Sequence, residues 1–215
     1  GYYTVTEECR ITSIIPDSGD GFGGKDNTSP QTTRINGSGF TPNVTVSSNS
    51  ITIDDKPCAH QSFTIDGQGQ FADVVLTVPL IAVPGYKNLA INDGAIRTFT
   101  GIYKVAQLTV TPETGLGQAK QVIALSGKYF TPGTIAAHTI TVANSSTTHS
   151  AITVRTDGTF ENQIISITDA LPGTAIGENI DIIIPNFTTK TFRNKYKVGT
   201  HLILSPASGN LRMFT

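Results

Sequence analysis

The 215-residue sequence contains a unit of roughly ninety residues that occurs twice. The stretch Ile35–Pro42 reads INGSGFTP, and it corresponds to Leu125–Pro132, which reads LSGKYFTP. A strand-like segment that begins at His60 returns at His149, and a phenylalanine follows eleven residues later in each copy. Both copies close on Tyr-Lys-Val. A repeat of this length predicts two modules of one fold, each large enough for its own core.

The local pattern of both modules is that of short strands joined by tight turns. Apolar and polar residues alternate in Phe63–Ile65 and Ile152–Val154, and almost nothing has helical periodicity. Turn dipeptides such as Asp66-Gly67 separate these runs at strand-length intervals. Each module offers about seven strand candidates, the number expected of an immunoglobulin-like sandwich. We therefore predict an all-β chain of two tandem antiparallel sandwiches, module one at 11–105 and module two at 108–198.

Two stretches of module one resemble a known family. Ile11–Gly19 follows the pattern I-x-x-I-x-P-x-S-G, and Ile35–Pro42 follows I-x-G-S-G-F-T-P. Together they resemble the IPT/TIG-type immunoglobulin-like domains of prokaryotic surface proteins. The resemblance implies an extracellular scaffold at the cell surface and no particular chemistry.

The bend after Ile35 has a physical interpretation of its own. Gly37 and Gly39 permit a tight bend at the end of a strand, Phe40 is expected to turn inward, and Pro42 ends the pairing. Module two departs from this pattern, because Lys128-Tyr129 stands where module one has Ser38-Gly39.

The two ends of the chain predict strands without a module of their own. An N-terminal arm, 1–10, contains the β-branched and aromatic residues Tyr2, Tyr3, Thr4, Val5 and Thr6. This arm resembles the donor strand of pilus and fibril subunits. A C-terminal tail, 199–215, repeats the opening of a module at Leu202, Ile203 and Leu204. We predict that these two segments form subunit interfaces.

The functional hypothesis is a structural subunit of an extracellular, pilus-like filament, in which copies of the chain assemble by donor-strand exchange. A fragment of a tandem-repeat adhesin or surface-layer protein is the first alternative, and a carbohydrate-binding module is the second. Only Ala106 and Gln107 separate the two modules. So short a linker predicts a stiff pair of modules, which suits a filament or stalk.

Composition argues against several other classes of partner. The formal net charge is −1, only 14% of residues are charged, and no basic stripe predicts binding to nucleic acid. No apolar run reaches the roughly 18–20 residues that a membrane-spanning helix needs.

The sequence also argues against catalysis. No Gly-x-Ser-x-Gly motif occurs, and the four histidines are not placed at metal-ligand spacing. We predict no enzymatic activity, no cofactor and no required metal.

Cys9 and Cys58 are the two cysteines of the chain. In an extracellular protein a disulfide between them is the preferred interpretation, and two buried thiols are the alternative. A zinc site is not expected, because neither lies in a CxxC motif or near a histidine pair.

Two kinds of surface site remain as candidates. Asp17, Asp20 and Asp26 surround a glycine-rich stretch and form a weak calcium candidate, with a flexible polar loop as the favoured interpretation. Five Asn-x-Ser/Thr sequons occur, and glycans are most expected on Asn27, Asn43 and Asn144.

Overall fold

The computed structural model describes residues 8–21, 31–115, 121–168, 171 and 177–199. All regular elements within these ranges are β-strands, which confirms the predicted all-β class. The predicted interface strands Tyr2–Thr6 and Leu202–Leu204 lie outside the described residues. The described ranges include no helix of the length and apolar character needed to cross a membrane.

Module one is a sandwich of two sheets. Its strands are β1 (Arg10–Ile15), β2 (Ser18–Gly19), β3 (Thr32–Ser38), β4 (Thr45–Val46), β5 (Thr52–Ile53), β6 (Lys56–Pro57), β7 (Phe63–Thr64), β8 (Phe71–Thr77), β9 (Gly85–Asn92) and β10 (Ile96–Val105). One sheet has the order β1-β3-β8, and the other has the order β2-β10-β9-β5-β6. The strands β4 and β7 form a separate short pair.

Module two repeats this plan. Its strands are β11 (Gln107–Thr111), β12 (Thr114–Gly115), β13 (Gln121–Lys128), β14 (Gly133–Ile135), β15 (Thr141–Val142), β16 (Ser145–Thr148), β17 (Ile152–Val154), β18 (Phe160–Ile167), β19 (Asn179–Asn186) and β20 (Thr188–Val198). Here β16 pairs with both β15 and β18, so the two sheets are joined in the order β11-β13-β18-β16-β15-β19-β20-β12.

Each module has its own hydrophobic core, and the alternation along the strands places the apolar residues inside. Phe40 is buried, as predicted, and its ring meets the ring of Phe71 edge-on at 5.0 Å between centroids. The equivalent rings of Phe130 and Phe160 also meet at 5.0 Å. Gly37 is required by this packing, because a Cβ there would lie 2.5 Å from the Phe71 ring and 2.6 Å from the Phe40 ring.

The departure at Tyr129 keeps the backbone of the bend unchanged. Gly39 has a φ of 75°, and Tyr129 takes the equivalent place with a φ of 63°. This left-handed conformation is uncommon for a bulky side chain and costs free energy. The bend therefore has the same backbone conformation in both modules. In module two this conformation is strained, because the residue that adopts it is Tyr129, which has an aromatic side chain.

The two repeated histidines are structural. The Nε2 atom of His60 accepts a hydrogen bond from the backbone N–H of Ile51 at 3.3 Å, and its Nδ1 lies 2.8 Å from the carbonyl oxygen of Gln61. His149 bridges the N–H of Ile140 and the carbonyl oxygen of Ser150 in the same way, at 3.2 and 2.7 Å. These contacts explain why the residue recurs at a strand start.

Candidate functional site

The candidate functional site is the junction where the end of module one meets the bend and the last hairpin of module two. Between β10 and β11 only Ala106 intervenes, and it is buried. Its N–H donates to the carbonyl oxygen of Gly19 at 2.7 Å. The connection is therefore held within the sheet of module one and is not a free linker.

Asp17 contributes one carboxylate to the junction and uses both of its oxygens. Oδ2 lies 2.7 Å from the ammonium group of Lys104 within module one. Oδ1 accepts a hydrogen bond from the hydroxyl of Thr131 in module two, also at 2.7 Å. The adjacent Ser18 is fully buried, and its hydroxyl donates to the carbonyl oxygen of Tyr129 at 2.8 Å. The bond from Thr131 has a charged acceptor, the Asp17 carboxylate, and is therefore stronger than a hydrogen bond between two neutral groups.

Asp20 and Gln31 reach across to β20 of module two. The Oδ2 atom of Asp20 accepts a hydrogen bond from the backbone N–H of Thr191 at 2.9 Å. The side-chain amide of Gln31 donates to the carbonyl oxygen of Thr189 at 3.3 Å. Both polar side chains are buried from solvent, so breaking these bonds would leave buried polar groups without partners. This makes the relative placement of the modules specific.

Lys190 places a buried amine on the module-two side of the junction. Its side chain is fully buried, and its Nζ donates to the carbonyl oxygen of Asn186 at 2.8 Å. The Nζ also lies 5.9 Å from the centre of the Phe130 ring. Burial lowers the pKa of Lys190 to about 8, although the nearby carboxylates of Asp20 and Asp17 favour its charged form. The two acids of module one thus compensate a buried cation of module two.

An aromatic contact completes the junction. The ring of Tyr129 packs edge-on against Tyr86 of module one, with 5.4 Å between centroids. Gly39, the equivalent residue in module one, has no side chain and cannot form such a contact. The strained conformation of Tyr129 is therefore associated with a contact between modules.

The structure gives the described residues of the weak calcium candidate a different role. Asp17 and Asp20 are engaged in the junction, and Asp26 lies outside the described residues. Within the described ranges, no three His, Cys, Asp or Glu side chains are grouped as they would be to hold a metal ion.

The predicted disulfide is not formed in the structure, where Cys9 and Cys58 are free thiols. Cys58 belongs to the core of module one, and Cys9 packs against the same core. Burial raises the pKa of both thiols, that of Cys58 to about 12, despite a hydrogen bond with the backbone of Ile53 that acts in the opposite direction. A buried thiol of this kind behaves as a small apolar side chain, which was the alternative interpretation.

The sequons divide into two groups. Asn43 and Asn144 are exposed in turns with φ near 62°, so their side chains are accessible to a modifying enzyme. Asn36 accepts a hydrogen bond from the N–H of Asp73 at 2.6 Å, and Asn186 is buried against Thr131. Asn27 lies outside the described residues. Glycans on Asn43 and Asn144 stay a prediction.

A second feature is a groove of about 680 Å³ along the outer edge of β8 in module one. Within the described residues, that edge is paired only at Thr77, which forms a single bridge with Ala59. The groove lies between β8 and residues 59–63. In module two the equivalent edge is paired at two residues, because Thr147 and Thr148 of β16 pair with the end of β18.

Sequence reasoning missed the module-two residues of the junction: Tyr129, Thr131, Thr189, Lys190 and Thr191. A signal was nevertheless present in the strand pattern. Lys190 stands at a position where alternation along β20 points inward, and a lysine there requires a partner.

Comparisons with known proteins do not assign the chain to a family. No family model matches the sequence, and no curated protein matches it. A solved structure described as the D0-D1 domain of intimin is similar over 85% of this chain and 97% of that chain, with 14% sequence identity. The TM-score of this superposition is 0.28, a value at which the likeness carries no argument about function.

Proposed function

We propose that this chain is a structural segment of an extracellular fibre or stalk, in which immunoglobulin-like modules stack end to end as a stiff rod. The hydrogen bonds that cross the junction carry this proposal. Asp17, Asp20, Ser18 and Gln31 each bind a group of module two. Each such bond contributes on the order of 1 kcal/mol, and together they oppose bending between the modules.

Stiffness between the modules can be measured on the monomer. Asp17→Ala and Asp20→Ala remove two carboxylates of the junction, and both variants are expected to increase the spread of module orientations. Residual dipolar couplings and small-angle scattering measure that spread. Glu113→Ala is the matched control, because Glu113 stands at the place of Asp17 in module two and is exposed. A wild-type protein whose modules reorient freely would contradict the proposed rod.

We further propose that copies of the chain join by strand exchange through the arm Tyr2–Thr6. The groove along β8 supports this, because an edge with so little pairing accepts an added strand. The groove makes module one the proposed acceptor, and the equivalent edge in module two is paired at one residue more, through Thr147 and Thr148 of β16. Deleting residues 1–6 should leave both modules folded and abolish filaments. Filaments of normal length from the truncated chain would rule out the exchange.

A tandem array within a longer adhesin or surface-layer protein is the second candidate. The same stiff junction favours it, because arrays of such modules also need fixed orientations between neighbours. The mass of the native protein separates the two candidates: about one chain's mass indicates a subunit that assembles, and a much larger mass indicates an array. We propose no catalytic role in either case.

A further inference from the structure

We propose that the two outer ends of the chain carry the two halves of the same junction, and that a second copy docks there head to tail. This inference rests on the proposed rod and names its partner. It follows from the internal repeat, because the bend, the last hairpin and the parallel strand pair that form the junction each occur in both modules. Asp20 is the exception, since its counterpart Leu116 lies outside the described residues.

The first half is the tail face of module two, defined as Glu113, Thr114, Gln121 and Lys197. These residues correspond to Asp17, Ser18, Gln31 and Lys104 of module one. The correspondence is structural, because β12 pairs parallel to β20 as β2 pairs parallel to β10. Thr114 faces Lys197 in one pair, and Ser18 faces Lys104 in the other.

The second half is the head face of module one, defined as Gly39, Thr41, Ile96, Arg97 and Thr98. These residues correspond to Tyr129, Thr131, Thr189, Lys190 and Thr191 of module two. Pairing again fixes the correspondence: Arg97 pairs with Ile91, and Lys190 pairs with Ile184. Thr41 is bound by Asp93 as Thr131 is bound by Asn186.

Burial distinguishes the occupied junction from its two counterparts. Lys190 and Thr191 are buried where module one contacts them, whereas the side chain of Arg97 is 41% exposed and Thr98 is exposed. Ser18 is fully buried, whereas Thr114 is exposed. On the head face, Ile96 is 75% exposed, so a docked copy would bury apolar surface there.

The two faces carry opposite charges, as the two sides of the junction do, but the tail face has one acid because Leu116 stands at the place of Asp20. The tail face presents the carboxylate of Glu113, as module one presents Asp17 to Lys190. The head face presents the cation of Arg97 at the place of Lys190; its Nε pairs with Asp93 at 3.1 Å, and its side chain is partly exposed. Glu113 of one copy is therefore expected to lie near Thr41 and Arg97 of the next. A contact between two different faces does not close on itself, and it generates a linear stack.

Charge reversal tests the contact on the full chain. Glu113→Lys and Arg97→Glu each place like charges across the interface, and each is expected to weaken self-association about tenfold or more. Mixing the two variants restores opposite charges at both contacts, so assembly should return as an alternating stack. Sedimentation velocity and electron microscopy measure the assemblies, and thermal melts confirm that each variant is folded. Arg34→Glu is the matched control, since Arg34 is exposed in the middle of β3, away from both faces.

Each outcome decides the inference. Recovery in the mixture, with neither variant assembling alone and the control unaffected, supports the head-to-tail contact. Two results overturn the inference. One is that both charge-reversal variants assemble as the wild type does, and the other is that the wild-type chain stays monomeric at millimolar concentration. The stiffness of the junction is measured on the monomer, so neither of these two results would contradict the proposed rod. Loss of filaments only on deletion of residues 1–6 would leave strand exchange as the sole connection.

Discussion

Asp93 and Asn186 occupy the same position in the two modules, and each binds the threonine that follows the buried phenylalanine of the bend. Asp93 Oδ2 accepts from the N–H of Thr41 at 2.9 Å, and Asn186 Oδ1 accepts from the N–H of Thr131 at 3.2 Å. Only Asp93 carries a charge, and it pairs with Arg97 at 3.1 Å. The paired positions therefore offer a natural test of what that charge contributes.

Asp93→Asn should destabilise module one by about 1–2 kcal/mol at neutral pH, because the buried amide loses the ion pair. Burial acts to raise the pKa of Asp93, but hydrogen bonds from Thr41 and Arg97 outweigh it and lower the pKa overall. Its stabilisation is therefore complete above a pH of about 4 and is lost as the pH falls through the folded pKa. Urea unfolding at several pH values should show the two proteins converging in acid. Asp55→Asn, at an exposed site, should show no such gap.

Lys190 should make stability depend on pH in the alkaline range. Its pKa of about 8 in the folded protein lies below its ordinary value of 10.5. Between these values the unfolded chain holds a proton that the folded chain has released, so the free energy of unfolding should rise with pH from about 8 to 10.5. Lys190→Met should flatten this rise, and Lys128→Met, at an exposed position, should not. An unchanged slope in Lys190→Met would show that another group titrates.

The two cysteines should titrate as thiols. We expect two reactive thiols per chain in denaturant without reductant, because both are free in the structure. In the native protein Cys58 should react far more slowly than Cys9, since Cys58 is fully buried and its pKa is raised to about 12. Mass spectrometry after alkylation gives both results. Finding no free thiol in denaturant would restore the disulfide predicted from the sequence.

The bridging histidines should matter equally in both modules. His60→Ala and His149→Ala each leave a buried backbone N–H without its acceptor, that of Ile51 or of Ile140. Each substitution should cost about 2 kcal/mol in urea unfolding, the usual penalty for such a group. Gln61→Ala removes an exposed side chain next to His60 and should change little. Equal stability of all three variants would argue against the structural role.

The sequence predicted the sandwich because its determinants recur at fixed spacing. Gly37, Phe40 and His60 each return in module two, and local packing around each can be inferred without knowing distant contacts. The junction could not be predicted in this way. Asp20 binds a group 171 positions away, and nothing near Asp20 in the sequence distinguishes that role from a polar loop or a cation ligand. Cysteine spacing likewise gives no information on whether two thiols meet.

The parallel pairing of the second and last strands of each module has a mechanical consequence. In module one, Lys104 N–H donates to the carbonyl oxygen of Asp17 at 2.8 Å, next to the bond between Ala106 and Gly19. In module two, Lys197 and Gly199 donate to Glu113 and Gly115 at 2.9 and 2.8 Å. Tension along the chain pulls β2 toward its start and β10 toward its end. The tension therefore loads the hydrogen bonds between β2 and β10 at the same time, in shear, and does not break them one after another. The same holds for β12 and β20. A fibre of such modules would resist load chiefly at these short strands.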